Sequence, residues 1–224
     1  MPEKPRVAVL SGFGINCETE TMAVFDMAGA SSDRVHVNRL VKGEESLTDY
    51  DIMAIPGGFS FGDHLGSGRL LGNRLRFGLR EQVREFVKAG KPVIGICNGF
   101  QVLVKMGLLP GDEDVSLTQT ASLSLNDSGH YEDRWVTLEF DPKSTCIWTK
   151  GIERIRVPVR HGEGKFVTDD KEMLDRNTKF LDHIHCPVHA PCGSRLPHVL
   201  VGRAIPTRCL VSRLLQMAVG GIRW

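Results

Sequence analysis

Apolar residues in this chain fall into short continuous runs separated by stretches with helical spacing. Val7-Ala8-Val9-Leu10 predicts a buried strand, and the Ser11-Gly12-Phe13-Gly14 turn feeds a helical pattern over residues 18–28. Residues 35–40 predict a second strand and 51–55 a third, ended by Pro56-Gly57-Gly58. One helix is predicted from about Leu70 to Lys88, stopping at Gly90, and Pro92-Val93-Ile94-Gly95-Ile96 follows as another apolar strand. Strands that alternate with helices imply a parallel, doubly wound α/β sheet with helices on both faces. From about Ser116 to Phe166 the pattern changes. Alternation over residues 135–140 and 155–159 suits half-buried antiparallel strands. Trp135 and Trp148 are read with the Phe residues as core, and the cationic run from Arg69 to Arg80 as a solvated helix face.

At 224 residues and 41% apolar content the chain can bury one substantial core, so a single domain over 1–224 is expected. The 28 Lys and Arg nearly cancel the 27 Asp and Glu, which gives no global field for nucleic acid or an anionic membrane. No apolar run approaches a membrane span, and the N-terminal residues lack the apolar region of a leader. The expectation is a cytoplasmic protein. Its six cysteines are irregularly spaced, so thiols are expected rather than a disulfide framework.

The chemistry concentrates at two turns. In Gly95-Ile96-Cys97-Asn98-Gly99 a strand passes into a helix with no room for a loop, and the two glycines flank Cys97 as they flank the serine of a nucleophile elbow. A sulfur at the start of a helix meets unpaired N–H groups that favour thiolate, so Cys97 is predicted to be nucleophilic. The alternative for Cys97 alone is a small buried core residue. Pro56-Gly57-Gly58-Phe59 ends another strand at the same carboxyl edge of the sheet, where ligands bind. The N–H groups of Gly58 and Asn98 could receive the oxyanion formed when a thiolate attacks a carboxamide. A plain β-turn is the alternative there.

Together, Pro56-Gly57-Gly58-Phe59-Ser60-Phe61-Gly62-Asp63 and the Cys97 segment resemble the class I, or triad, glutamine amidotransferases, which have a flavodoxin-like fold. Three further segments, 14–18, 126–136 and 158–166, narrow the resemblance to the glutaminase subunits of phosphoribosylformylglycinamidine synthases, over residues up to about Asp175. The resemblance implies a γ-glutamyl thioester on Cys97 and release of ammonia for de novo purine biosynthesis. It implies an oxyanion hole at Gly58 and Asn98, with Phe59, Gln101 and Asn126 around the glutamine. His161 and Glu163 become candidates for contact with the partner. That partner would be a large synthase subunit, with a small accessory subunit as a further candidate. No cofactor or metal is expected in this chain, since ATP and magnesium would be used by the large subunit. A catalytically dead docking subunit, or another cysteine hydrolase of related fold, are the competing functions.

The resemblance breaks at the base. The family's Pro-His-Pro-Glu turn does not occur in the sequence, and His161-Gly162-Glu163 has its His-x-Glu spacing but matches a different family segment. Asp and Glu are frequent up to Asp182 and then absent through Trp224, while Cys186, Cys192 and Cys209 crowd in. This shift predicts a changed reading frame beginning after Leu174, which leaves 176–224 doubtful as part of the domain. A competing reading takes His183, His185, Cys186, His189 and Cys192 as metal ligands.

Overall fold

A computed structural model describes residues 3–112, 114–140 and 146–170. The expected frame change and the metal reading at His183 to Cys192 both lie outside the described residues.

The N-terminal part contains β1 (Arg6–Ser11), α1 (Glu18–Met27), β2 (Ser31–His36), α2 (Val37–Val41) and β3 (Ile52–Ile55). It continues through α3 (Arg69–Gly78), α4 (Arg80–Lys88), β4 (Val93–Gly95) and α5 (Asn98–Lys105). Strands pair in the order β2-β1-β3-β4, all parallel, which is the doubly wound arrangement expected. Val7 to Leu10 are completely buried because both faces of β1 are covered, which explains the unbroken apolar run. One face packs against Leu71, Leu75, Phe86, Val102 and Leu103 of α3, α4 and α5. The other meets Met22 and Phe25 of α1, with Trp148 alongside.

Two elements differ from the sequence reading. Residues 37–40 are helical, not part of the second strand, because the His36 ring accepts a hydrogen bond from the Asn38 N–H at 3.1 Å and caps α2. The expected single helix over 70–88 is broken at Leu79, whose φ of −127° leaves the helical region, giving α3 and α4. Gly78 allows Val41 to approach at this break.

The remaining described strands are β5 (Ala121–Leu125), β6 (Glu132–Glu139), β7 (Arg154–His161) and β8 (Glu163–Thr168). β5 pairs with β8 and β6 with β7, both antiparallel, as the alternation predicts. The buried Lys105 ammonium fastens α5 to β5, donating to Ser122 Oγ at 2.7 Å and to the Leu123 carbonyl at 3.1 Å. Trp135 is not core: it is 61% exposed and lies beneath the Arg156 guanidinium. Trp148 is half-buried, its indole N–H donating to the Val93 carbonyl at 3.1 Å. In the cationic run, Arg69 and Arg74 are exposed as expected, whereas Arg80 is half-buried and donates to the Ser116 carbonyl at 2.7 Å. No helix among the described residues is long and apolar enough to cross a membrane.

Candidate active site

The turns after β1, β3 and β4 converge at the carboxyl edge of the sheet. They border a cavity of about 520 Å³ that Cys97 lines together with Gly57, Gly58, Phe59, Gln101 and His161. Cys97 is the N-cap of α5 and takes φ 52° and ψ −110°, a conformation L residues disfavour. Strain of this kind costs about 1–3 kcal/mol and persists only where the surroundings impose it. They do so here. The Ile96 N–H donates to the Ile55 carbonyl at 3.0 Å, and α5 turns back at once through Gly99 N–H to the Ile96 carbonyl at 2.8 Å.

Gly99 is required at this turn because a Cβ there would lie far inside the van der Waals radius of the Ile55 carbonyl oxygen. Gly99→Ala must therefore separate α5 from β3. We expect it to lower stability by about 1–3 kcal/mol, as overpacked cores do, and thermal unfolding followed by circular dichroism checks it. Gly58 sits opposite with φ 153°, where a Cβ would come within 2.6 Å of the Gly14 carbonyl oxygen. An antiparallel bridge from Ile15 to Gly58 and the Phe59 N–H bond to the Gly14 carbonyl at 3.0 Å hold this turn against the one after β1.

The thiol itself is not in the state the helix start led us to expect. Burial pushes the Cys97 thiol up to about 11; the hydrogen bond from the Asn98 N–H acts in the opposite direction, and nearby Cys17 and Asp63 push it further up. Desolvation outweighs the helix terminus, so the resting group is a thiol at neutral pH. Alkylation by iodoacetamide should consequently accelerate about tenfold per pH unit between roughly pH 7 and 10, since only thiolate reacts. Mass spectrometry of the Cys97 peptide measures this. A rate already level by pH 8 would show a thiolate that burial does not suppress.

The other expected site residues divide. Phe59 is 60% exposed at the cavity mouth. Gln101 lines the cavity but is tied on both sides, accepting from Asn98 Nδ2 at 3.0 Å and donating to the Glu163 carbonyl at 3.0 Å. Asn98 faces inward with its side chain, accepting from the Ser60 N–H at 3.0 Å and donating to Asp63 Oδ1 at 3.1 Å. Asn126, expected beside glutamine, is not on the cavity wall. Its Nδ2 donates to the His130 and His161 carbonyls at 2.9 and 2.8 Å, and its Oδ1 accepts from the Gly164 N–H at 3.0 Å. It fastens the β7–β8 turn. With the Asn126 amide fixed in that sense, its Oδ1 can only accept, so His161 Nδ1, 2.9 Å away, carries the proton and Nε2 keeps its lone pair. Burial pulls the His161 imidazolium below the usual histidine range.

The positions expected at a partner surface are thus partly internal. His161 borders the cavity, and the Glu163 carboxylate accepts from the Ser67 N–H at 3.1 Å. The sequence reading missed Cys17, Glu20, Asp63, Tyr131 and Arg160, which also line the cavity. Cys17, Asp63, Tyr131 and Arg160 stood inside segments used for the family resemblance, which was the available signal. Among the described residues no cluster of His, Cys, Asp or Glu is arranged to hold a metal ion.

A family model described as a CobB/CobQ-like glutamine amidotransferase domain matches residues 4–181. The phosphoribosylformylglycinamidine synthase subunit PurQ of Methanococcus maripaludis strain C7 is 44% identical over 171 residues, 76% of this chain and 62% of that protein. The PurQ subunit of Archaeoglobus fulgidus is 40% identical over 190 residues, covering 79% of this chain and 70% of the relative. Among solved structures, a chain in the structure of PurLQS from Thermotoga maritima superposes with a TM-score of 0.60 at 30% identity, covering 75% of this chain and 72% of that one. This chain spans only 61 to 64% of the length of its Methanococcus and Dehalococcoides relatives.

Proposed function

Because the chain belongs to the CobB/CobQ-like glutamine amidotransferase family, we propose that it is the glutaminase subunit of a phosphoribosylformylglycinamidine synthase. The observation that carries this reading is the strained Cys97 elbow opening into a cavity beside Gly58. In the proposed reaction the Cys97 sulfur attacks the glutamine carboxamide carbon, and the N–H groups of Gly58 and Asn98 receive the negative charge that develops on oxygen. Collapse expels ammonia and leaves a γ-glutamyl thioester, which water then hydrolyses to glutamate. Phe59 and Gln101 border the space the glutamine would fill. Asn126 would act from behind by fixing the β7–β8 turn.

Ammonia must be consumed where it is made, so the proposal includes a large synthase subunit, with a small accessory subunit as a further candidate. The Thermotoga maritima structure, of PurLQS, is consistent with such an assembly. ATP and magnesium belong to the large subunit's chemistry in this proposal, and this chain needs no cofactor of its own. The loss of Asp and Glu after Asp182 supports a changed reading frame in the C-terminal segment, although the family match itself runs to residue 181. Reading the coding DNA in three frames tests that point.

The glutamine analogue 6-diazo-5-oxo-L-norleucine tests the site: it should label Cys97, and excess glutamine should protect it. Labelling that glutamine does not slow would favour another cysteine hydrolase. In a second arm, adding a large synthase subunit should raise ammonia release from glutamine. The absence of a Pro-His-Pro-Glu turn and the raised Cys97 thiol favour a second reading, an inactive docking subunit. Complex formation without any Cys97 labelling would select it.

A further inference from the structure

The turn Ser60–Asp63, between β3 and α3, holds three successive residues with positive φ: Phe61 at 53°, Gly62 at 64° and Asp63 at 53°. Phe61 carries a side chain that disfavours this region, which Asp tolerates better. Asp63 Oδ1 accepts from the Gly68 N–H at 3.3 Å and from Asn98 Nδ2 at 3.1 Å, and the Asp63 carbonyl accepts from the Gly66 N–H at 3.0 Å. At the other end of the turn, the Ser60 N–H donates to Asn98 Oδ1 at 3.0 Å. The carboxamide of Asn98 thus spans the turn from first residue to last. Asn98 is also the residue whose backbone N–H reaches the Cys97 sulfur.

We infer that Asp63 is a positioning residue, whose carboxylate acts through the Asn98 carboxamide to fix where the Asn98 N–H points and so sets the geometry at Cys97. The inference rests on the reading of Cys97 as nucleophile. An amide donor contributes to catalysis only when it already points at the developing charge. The side chain of Asn98 leaves the same Cα that carries this donor, so orienting one restrains the other. The carboxylate has a second consequence. It lines the cavity with Cys97, and its negative charge disfavours the Cys97 thiolate. Cys97 also faces Cys17 at the start of α1 and Tyr131 ahead of β6, while Glu163 of β8 faces Asp63. Charge and hydrogen bonding can be separated: Asp63→Asn keeps an oxygen for Gly68 and Asn98 but removes the charge, whereas Asp63→Ala removes both.

The experiment labels chain 1–224 with 6-diazo-5-oxo-L-norleucine and, separately, with iodoacetamide, reading the Cys97 peptide by mass spectrometry. For Asp63→Ala, the saturating rate with the glutamine analogue should fall about tenfold or more, as expected for a misdirected donor. Its half-saturating concentration should change by less than about threefold, because binding does not use that donor, while loss of the carboxylate charge should shift its iodoacetamide profile to lower pH. Asp63→Asn should restore the saturating rate to within about threefold and shift the iodoacetamide profile to lower pH. Wild-type labelling by Asp63→Ala, or an Asp63→Asn variant as slow as Asp63→Ala, overturns the inference. Should Asp63→Ala fail to fold, Asp63→Asn decides alone, and an unmoved pH profile overturns the inference. Labelling that survives Cys97→Ser would instead overturn the nucleophile reading on which it rests.

Discussion

Cys97→Ser is expected to abolish labelling by 6-diazo-5-oxo-L-norleucine and thioester formation from glutamine, while the protein keeps its fold and any affinity for a synthase. The serine hydroxyl occupies the same elbow but is a far weaker nucleophile with no general base established beside it. Its volume is close to that of the thiol, so the packing of Gly57 against the Cβ of residue 97 is retained. Cys17→Ser is the informative control, since Cys17 borders the same cavity. Its backbone, with φ −106°, lies outside the strained region that Cys97 occupies, and Cys17→Ser should leave Cys97 labelling within about threefold of wild type, the scale of a small packing change. Equal loss from both variants would count against the elbow. Intact protein mass after labelling, with circular dichroism for folding, makes the comparison.

Turnover is the second large effect. Chain 1–224 should be labelled at Cys97, yet its release of ammonia from glutamine should lie about 10²–10⁴-fold below that of a relative with the full complement of groups, the usual cost of a missing acid–base residue. Two proton transfers are needed, one from the thiol and one to the departing amine. A thiol pushed up to about 11 makes the first harder. His161 is the neutral imidazole on the cavity wall, with Nε2 unprotonated. If release is fast and His161→Ala removes it, His161 is the base and the expected deficit is overturned. Coupled measurement of ammonia, with and without the large synthase subunit, covers both arms.

Much of the parallel sheet was legible because β1, β3 and β4 are buried on both faces and leave unbroken apolar runs. Residues 37–40 misled for a different reason. Only Val37 and Leu40 are buried, with Asn38 and Arg39 between them, and so short a segment reads alike as a helix turn and a strand end until its cap is known. The Cys97 elbow was legible from two glycines, because the backbone geometry there admits little else. The thiol's protonation state was not. It depends on how much water the folded cavity excludes, and no local pattern encodes that. Asp63 stood in the segment that carried the resemblance, but its role was silent, since its partners Gly68 and Asn98 come from other segments and the link passes through side chains. Asn126 was placed by resemblance beside the substrate. Its carboxamide is instead spent on the chain's own His130, His161 and Gly164.

The pairing of β3 with β4, Ile55 opposite Gly95, also bears on when the site comes into existence. Gly58 and Cys97 follow strands joined by the long crossover through α3 and α4, and parallel strands cannot meet until such a crossover closes. Closure of long loops is a late and costly event in folding. The elbow and its facing turn therefore cannot mature one at a time on a nascent chain. During refolding from denaturant, Cys97 should first pass through a period of open, indiscriminate thiol chemistry. Selectivity for a glutamine-like electrophile should arrive together with the slowest structural signal.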